Sequence, residues 1–287
     1  MNQLVKEQIV QLENLCLAVK IWGTSDKGIP ILAVHGWLDN ANSFAELAEQ
    51  LNGFQIIAVD LPGHGLSEHR STGVYHFIDY VADMIELVDT LDLQKVMLMG
   101  HSLGAGIAAL VAGTIPDRVE RLILIEGFGP LTNLDQNAPQ MLKQALEDAN
   151  QNVRHPPRTY PDFATPLMLR AKISNLDPEV IRSLVSRGLK QIEDGWQWRA
   201  DPRLRLASRL RLTEAQVHAF LTNIQCPVLC IKAEQGLMHN APQALKARME
   251  CIHDLCVKEF AGGHHLHKEN PVLVAQAINQ FLSIQKA

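Results

Sequence analysis

The stretch Gly100-His101-Ser102-Leu103-Gly104 indicates most about how this chain folds. It follows an apolar run at residues 96–99 and leads into a run of small and apolar side chains at 105–111. That order predicts a strand, a tight turn with a serine at its apex, and a helix. The two glycines lack the Cβ atoms that would collide where the turn brings strand and helix together. Ser102 is therefore expected at a helix N-terminus, where free N–H groups favour developing negative charge, and it is our candidate nucleophile.

The composition limits the classes of fold and partner. A chain of 287 residues with 47% hydrophobic residues can bury a large core, as one α/β domain or a domain with an insertion. A formal net charge of -5 argues against nucleic acid or an anionic membrane as the main partner. No apolar run is long enough to span a bilayer, and residues 1–15 lack the apolar core of a signal peptide. Five cysteines, several of them in apolar runs, indicate free thiols and predict a cytoplasmic location.

Short apolar runs alternate with helical patterns along most of the chain. The alternation predicts a mostly parallel sheet of eight strands flanked by helices, with an antiparallel start. An amphipathic helix is predicted over 77–91 and a closing helix over 272–284, and Ser43 with Glu46 forms a capping-box pattern that opens a helix through Leu51. The predicted strands lie at residues 9–12, 16–22, 31–34, 56–59, 96–99, 122–125, 228–231 and 255–257.

One stretch breaks the alternation. Residues 130–224 contain helical patterns and no convincing buried strand. Asp177 before Pro178 predicts one helix start, and Thr213 with Gln216 forms a capping box at another. We expect a helical cap here, inserted between the sixth and seventh strands of a core formed by residues 1–129 and 225–287. A cap at that point covers the carboxyl ends of the strands, where open α/β sheets bind their ligands.

Four segments carry a resemblance to a known family. They are residues 35–44 (HGWLDNANSF), 60–67 (DLPGHGLS), 100–104 (GHSLG) and 263–271 (GHHLHKENP). In this order they resemble the α/β-hydrolase superfamily and its epoxide-hydrolase-like capped group, and they are most similar to the serine hydrolase-like proteins. The resemblance covers nearly the whole chain. It implies the α/β-hydrolase fold and a serine hydrolase that acts on esters or related acyl compounds.

The resemblance also implies a base for the candidate nucleophile. A serine hydroxyl is a weak nucleophile at neutral pH and needs a neighbouring base. His264 lies in a glycine-rich loop after the last strand and matches the family's catalytic position, which gives the order serine, acid, histidine. His265 and His267 are expected to be supporting groups. The histidines of the other matching segments are expected to hydrogen-bond backbone around the site.

The acid is harder to place. Many relatives carry an aspartate shortly after the seventh strand, in a G-x-x-D pattern, but the matching residues 233–236 end in Gly236. Another branch of the superfamily carries its acid directly after the sixth strand, where Glu126 stands in this chain. A carboxylate there can orient the second nitrogen of His264 and stabilise its imidazolium form. We therefore favour Glu126 as the acid. The alternatives are Glu234 and a Glu126 that only caps or pairs with a residue of the cap.

Two main-chain N–H groups are needed to stabilise an oxyanion. The residue after the nucleophile, Leu103, supplies one, and Trp37 in the H-G-x match after the third strand supplies the other. The side chain of Trp37 either lines an acyl pocket or simply packs. Asp39 and Asn42 in the same loop are expected to form turns and caps.

Two other groupings are given little weight. The arginines between residues 199 and 211 are typical of a solvated or salt-bridged surface, although they could bind an anionic group of a substrate. Cys251, His253, Cys256 and the histidines at 264–267 match no structural zinc spacing, so neither a metal nor a cofactor is predicted.

Cleavage of carboxylic esters, or of thioesters, through an acyl-serine intermediate with a Ser-His-Glu triad is the favoured activity. Hydrolysis of carbon–carbon bonds and a catalytically silent ligand-binding protein on the same scaffold are the alternatives. The expected partner is a small-molecule acyl substrate, and the oligomeric state is open. Several residues of the predicted cap form either an apolar pocket for the acyl group or the cap's own core: Met141, Leu142, Leu167, Met168 and Leu169.

Overall fold

The computed structural model describes residues 4–24, 28–51, 53–152, 157–240 and 242–283, and within them the chain forms ten strands and ten α-helices. The strands are β1 (Val5–Gln11), β2 (Cys16–Trp22), β3 (Ile31–Val34), β4 (Ile56–Val59), β5 (Val96–His101), β6 (Val119–Ile125), β7 (Leu189–Ile192), β8 (Gly195–Trp198), β9 (Val228–Ala233) and β10 (Leu255–Phe260). The helices are α1 (Ala45–Gln50), α2 (Phe77–Thr90), α3 (Leu103–Thr114), α4 (Ala138–Asn152), α5 (Ala164–Ser174), α6 (Pro178–Gly188), α7 (Glu214–Thr222), α8 (Pro242–Met249), α9 (Leu266–Glu269) and α10 (Pro271–Ser283).

Eight of the strands build one sheet in the order β1-β2-β4-β3-β5-β6-β9-β10. β2 pairs with β1 and with β4 in antiparallel fashion, and the pairs from β4 onward are parallel. β3, β4 and β5 are buried along their whole length, because helices cover both faces of the sheet and apolar side chains fill both. The predicted mostly parallel, eight-stranded sheet flanked by helices is confirmed.

Alternate side chains of the central strands enter two cores, one on each face of the sheet. On one face Leu32 and Leu98 pack with residues of α2 and α3. On the other face Ile31 and Met99 pack with residues of α1 and α10. Full burial of each such side chain contributes about 2 kcal/mol. This two-sided core holds the carboxyl ends of β3, β5, β6 and β9 together at one edge, where the candidate site residues follow the strands.

The predicted helices lie close to their observed bounds. α2 covers the predicted stretch to within one residue, and α10 begins at Pro271. Ile284, the last residue of the predicted closing helix, lies outside the described residues. No helix in the part of the chain that the structure describes is long and apolar enough to cross a membrane.

The predicted capping box at Ser43 is wrong. Ser43 lies inside a 3-10 helix, Ala41–Phe44, which precedes α1 and is capped by the side chain of Asn40. The hydroxyl of Ser43 instead bonds to Nε2 of His267 at 2.9 Å. It is therefore not available to the first turn of α1, which has no side-chain cap.

Residues 130–224, here called the inserted segment, connect β6 to β9 and add no described strand to the large sheet. The predicted cap at Asp177 and the capping box at Thr213 are both confirmed. The segment also forms the hairpin of β7 and β8, whose four-residue strands are too short to give a periodic signal. α5, α6 and β7 share a small core, whereas α7 packs on α3, where Val217 and Leu221 join the main core.

A buried arginine ties the inserted segment to the sheet. Arg187 of α6 is 8% exposed, and its Nε donates to both carboxylate oxygens of Asp60 at 2.9 and 3.1 Å. The two terminal nitrogens of Arg187 donate to Glu7 of β1 at 2.7 and 3.0 Å. Asp60 is fully buried and also accepts hydrogen bonds from the N–H groups of Ala41 and Leu66. Water cannot reach this site to solvate either charge if the pair separates. The pair therefore holds α6 against the carboxyl ends of the strands.

We predict that Arg187→Met lowers the free energy of unfolding by about 3 kcal/mol, because Asp60 then keeps a buried charge without its partner. Arg182→Gln on the same helix is the matched control. Arg182 pairs with Glu179 at the surface, where the side chains are 49% and 70% exposed, so water screens the pair and its loss should leave the stability close to that of the wild type. Urea unfolding measures both variants. Wild-type stability of Arg187→Met would contradict the fastening role.

Candidate active site

Ser102 has a backbone conformation that its neighbours impose. It joins β5 to α3 with a φ of 54° and a ψ of -114°, a region that residues with a side chain rarely adopt. A Cβ atom at Gly100 would lie 2.3 Å from the carbonyl oxygen of Gly104, and one at Gly104 would lie 1.9 Å from that of Val34. Only glycine fits either position. The turn therefore holds the half-buried serine at the carboxyl end of β5 and at the start of α3.

Two further side chains line up with this serine. Nε2 of His264 lies 3.0 Å from Oγ of Ser102, and Nδ1 of the same ring lies 3.2 Å from Oε2 of Glu126. The three residues follow three different strands, β5, β10 and β6. Burial lowers the pKa of His264 and outweighs the opposing effect of Glu126. The ring is therefore neutral at pH 7, with Nδ1–H donating to Glu126 and Nε2 free to accept a proton.

The carboxylate of Glu126 is cut off from water and held by main-chain donors. The residue is 2% exposed and has a φ of 50°. Oε1 accepts a hydrogen bond from the N–H of Ala233 at 2.7 Å, and Oε2 accepts one from the N–H of Leu237 at 2.9 Å. Burial raises the pKa of Glu126, but the hydrogen bonds from His264 and from these N–H groups outweigh it and leave the pKa below its ordinary value. Glu126 is an ionised group fixed against His264.

Gly236 occupies the position where the resemblance leads one to expect an aspartate. A Cβ atom at Gly236 would lie 2.1 Å from Oε2 of Glu126, so the glutamate fills the space that a side chain at position 236 would need. Glu234, the alternative acid, is exposed, and its N–H donates to the carbonyl of Phe260 at 2.9 Å. The fold therefore brings Glu126 to His264 and leaves Glu234 at the surface.

The predicted N–H donors, Trp37 and Leu103, lie on backbone segments that touch. The Cα of Gly104 packs against the carbonyl groups of Val34 and His35, which brings the start of α3 next to the loop after β3. Leu103 is the first residue of α3, where N–H groups have no partner within the helix. Neither N–H donates a hydrogen bond to another residue in the described parts of the chain.

Two buried histidines hold the loop after β3. His35 donates from Nδ1 to the main chain of the next residue at 2.7 Å and accepts from the N–H of Leu61 at 3.0 Å. His64 accepts from the N–H of Leu38 at 3.2 Å. Burial lowers the pKa of His35 to about 4 and that of His64 to about 3, so both rings are neutral. Their bonds to backbone are those expected from the sequence.

The side chain of Trp37 contacts the inserted segment. It is 50% exposed, and its Nε1 donates to the carbonyl of Leu204 at 3.1 Å. The guanidinium of Arg205 lies 6.0 Å from the ring centroid. The tryptophan therefore joins the loop after β3 to residues 202–205, on the rim of the site.

Most of the arginines between residues 199 and 211 have partners within the chain. Nε of Arg203 lies 3.0 Å from the carboxylate of Asp201, and Nε of Arg199 donates to the carbonyl of Leu189 at 3.0 Å. Arg211 lines an open cavity of the inserted segment with polar residues of α4 and of the preceding loop. Of the arginines in this run, Arg203 best fits the expectation of a salt bridge at the surface.

Asp39 forms the expected turn with its main chain, because its N–H donates to the carbonyl of Gly36 at 3.1 Å, but the helix that follows is capped by Asn40 and not by Asp39. Its carboxylate is buried and accepts a hydrogen bond from Arg170 of α5 at 2.6 Å. Asn42 also binds the inserted segment, by donating to the carbonyl of Ser183 at 2.8 Å. Arg170 escapes prediction because 131 residues separate it from Asp39 and no local pattern marks it.

Three further histidines of the matching segments lie around His264: His101, His265 and His267. Nε2 of His101 donates to the main-chain carbonyl of His264 at 2.9 Å. The ring of His101 also lies 5.2 Å from that of His265 and 4.2 Å from that of His267. Among the residues that the structure describes, no three His, Cys, Asp or Glu side chains are arranged to hold a metal ion.

Comparison with known proteins places the chain among hydrolases of this architecture. Residues 29–271 match the family described as alpha/beta hydrolase fold. The chain is 32% identical to a serine hydrolase-like protein of Dictyostelium discoideum, over 94% of this chain and 79% of that protein. A hypothetical protein of Pseudomonas aeruginosa PAO1 superimposes with a TM-score of 0.91 at 35% identity, covering 97% of this chain and 100% of that one. A thioesterase domain from the curacin biosynthetic pathway has a TM-score of 0.82 at 26% identity, covering 96% and 99%.

The family match spans most of the chain, and the sheet order and the turn at Ser102 agree with it. The chain therefore belongs to the α/β-hydrolase fold family, as a hydrolase most similar to the serine hydrolase-like proteins.

Proposed function

We propose that this chain hydrolyses carboxylic esters or thioesters through an acyl-serine intermediate on Ser102. The proposal is carried by the continuous series from Ser102 through His264 to Glu126, with separations of 3.0 and 3.2 Å. A neutral imidazole next to a serine takes the hydroxyl proton, and a carboxylate on its far side orients the ring and stabilises the imidazolium that forms. In this proposal Ser102 is the nucleophile, His264 the general base and acid, and Glu126 the third member of the triad.

The proposed reaction has two stages. In the first, Oγ of Ser102 bonds to the acyl carbon while its proton passes to Nε2 of His264, and the N–H groups of Leu103 and Trp37 stabilise the oxyanion. His264 then gives that proton to the leaving alcohol or thiol as its bond to the acyl carbon breaks. In the second stage water gives a proton to His264 and attacks the acyl carbon. His264 then returns that proton to Oγ of Ser102 as the bond between Oγ and the acyl carbon breaks, which releases a carboxylic acid and the free serine.

The proposed substrate is a small molecule with an apolar acyl group. Leu167 is buried in the core of the inserted segment, but Leu142, Met168 and Leu169 are 44%, 57% and 39% exposed. These side chains lie on a segment that leaves the sheet at the carboxyl end of β6, so they are suited to cover an apolar ligand there. We propose that the segment acts as a cap on a core of residues 1–129 and 225–287. Similarity to a thioesterase domain supports thioesters beside esters.

Labelling with a fluorophosphonate probe tests the proposed triad. We expect the wild type to be labelled and Ser102→Ala to remain unlabelled. Glu126→Gln is expected to react about 10³–10⁴ times more slowly, because an amide does not stabilise the imidazolium. Glu234→Gln is the matched control, the same change on an exposed glutamate, and is expected to react like the wild type. Intact-mass spectrometry over time gives the rates.

Other labelling results would support one of the alternatives, provided that circular dichroism shows that the protein is folded. Slow labelling of Glu234→Gln with normal labelling of Glu126→Gln would make Glu234 the acid. An unlabelled wild type would favour the ligand-binding scaffold. Labelling without turnover of any ester or thioester in a panel would favour other acyl chemistry, such as hydrolysis of a carbon–carbon bond.

The labelling rate is expected to depend on pH through His264. Burial lowers its pKa from the ordinary value of 6.5, and below that pKa the imidazolium cannot accept the serine proton. The pKa of Glu126 is lowered from 4.5, so the acid stays ionised throughout. The rate should therefore rise with pH, with a midpoint below 6.5, and be level at neutral pH. A pH–rate profile with a midpoint above 6.5 would contradict this assignment.

We also expect that an aspartate introduced at position 236 can take over the role of the acid when Glu126 is removed. Glu126→Gly removes the carboxylate and tolerates the φ of 50°, and Gly236→Asp in the same protein places a new carboxylate in the space that the glutamate leaves. The double variant should be labelled at least about tenfold faster than Glu126→Gly alone. Gly236→Asp alone is the control and should be slow, because its Cβ meets the Glu126 carboxylate at 2.1 Å. A double variant no faster than Glu126→Gly would contradict the shared space.

A further inference from the structure

Asp39 is a second buried carboxylate near His264, and the reaction above does not use it. Its side chain is 1% exposed, and Oδ1 accepts a hydrogen bond from Arg170 at 2.6 Å. Its other oxygen lies 3.7 Å from Nδ1 of His101 and 3.7 Å from Nε2 of His265. A charge so far from water acts strongly on its neighbours, because little solvent screens it.

Both histidines are connected to His264. His101 donates from Nε2 to the main-chain carbonyl of His264 at 2.9 Å, and the two ring centroids are 4.9 Å apart. His265 is the next residue, with its ring centroid 5.3 Å from that of His264. Nδ1 of His101 is buried, faces Asp39 and has no hydrogen-bond partner among the described residues. The ring of His101 therefore lies between the His264 carbonyl, to which its Nε2–H donates, and the buried carboxylate of Asp39.

Asp39 and His101 both pack against Gly36 in the loop after β3, and Asp39 also contacts the inserted segment. A Cβ atom at Gly36 would lie 3.0 Å from Nδ1 of His101 and 3.2 Å from Oδ2 of Asp39, so the residue before Trp37 packs directly on them. Arg170 belongs to α5 and is the contact through which that helix reaches Asp39. One carboxylate of the candidate oxyanion loop therefore contacts Gly36 of that loop, the surroundings of His264 and the inserted segment.

We propose that Asp39 is a positioning residue: it orients His101 and thereby His264, its charge favours the imidazolium form of His264, and Arg170 on the inserted segment offsets that charge. This rests on the proposed role of His264 as base. The charged and titratable groups around His264 and its neighbours come from every element packed there: Glu126 after β6, His101 on β5, Asp39 after β3, His265 in the same loop, His267 and Lys268 in α9, and Arg170 in α5.

Asp39 is expected to stay ionised in the wild type and also when Arg170 is replaced. Burial raises the pKa of Asp39, but contacts with His101 and His265, and after them Arg170, hold that pKa well below its ordinary range. Burial lowers the pKa of His264, and Glu126 and Asp39 act against it. Neutralising Arg170 therefore leaves a carboxylate at Asp39 whose effect on His264 is no longer offset.

The two partners of this ion pair are expected to move the pKa of His264 in opposite directions. Asp39→Asn removes the anion and should lower that pKa by about 0.5–1 pH unit, whereas Arg170→Met removes the cation and should raise it by a similar amount. Arg170→Lys, which keeps the cation, should stay close to the wild type. NMR titration of the His264 imidazole measures all three without turnover, and the acidic limb of fluorophosphonate labelling measures them in the reacting site. Arg182→Gln, at the exposed pair on α6, is the control and should change neither.

Opposite shifts, with the double variant Asp39→Asn/Arg170→Met back near the wild-type pKa, would support the proposal. Shifts of the same sign, or no shift, in variants that melt like the wild type would reduce the pair to a structural link and overturn it. If Asp39→Asn does not fold, the contrast between Arg170→Met and Arg170→Lys decides in the same way. Failure of the proposed function is separate: the wild type would then not be labelled at any pH, while the NMR titration still reports on Asp39.

Discussion

A carboxylate with no access to water organises this site. Glu126 is 2% exposed, and a buried charge is tolerated only where donors replace its hydration. The chain supplies them from the N–H of Ala233, the N–H of Leu237 and Nδ1 of His264. These donors lie at the end of β9, in the turn that follows, and in the loop after β10. The ionised glutamate therefore joins three segments and holds the imidazole in place before any substrate binds, and it leaves room at position 236 for glycine alone.

The loop after β3 connects this arrangement to the inserted segment. Two neutral histidines hold its backbone, and Asn40 and Asn42 donate to carbonyl groups of α6 at 2.8 Å. Asp39 in the same loop binds Arg170 of α5. Hydrogen bonds therefore connect α5 and α6 to the loop that carries the candidate oxyanion N–H of Trp37. In this proposal the inserted segment influences the reaction through the loop as well as by shaping the space for the acyl group.

The parts of the fold that could be predicted are those with a local physical cause. Buried parallel strands require unbroken apolar runs, so the sheet can be predicted from the sequence. A strained turn between strand and helix requires glycine at fixed spacing, so the position of Ser102 can be predicted as well. What could not be predicted depends on residues distant in sequence. Ser43 forms no capping box because its hydroxyl bonds to His267, which is 224 residues away. Asp39 binds Arg170, and the glycine at position 236 has a reason only beside Glu126 in space. The hairpin of β7 and β8 is too short to show a period.

The most direct test of an acyl-serine route is to trap the intermediate and locate it. A slowly deacylating activated ester would be mixed with the protein, the reaction quenched in acid, and the digest mapped by mass spectrometry. We predict that the acyl mass appears on the peptide that contains Ser102, and that it accumulates far more slowly in Glu126→Gln. Ester turnover with the acyl group on another residue, or undiminished turnover by Ser102→Ala, would contradict the assignment of Ser102 as the nucleophile.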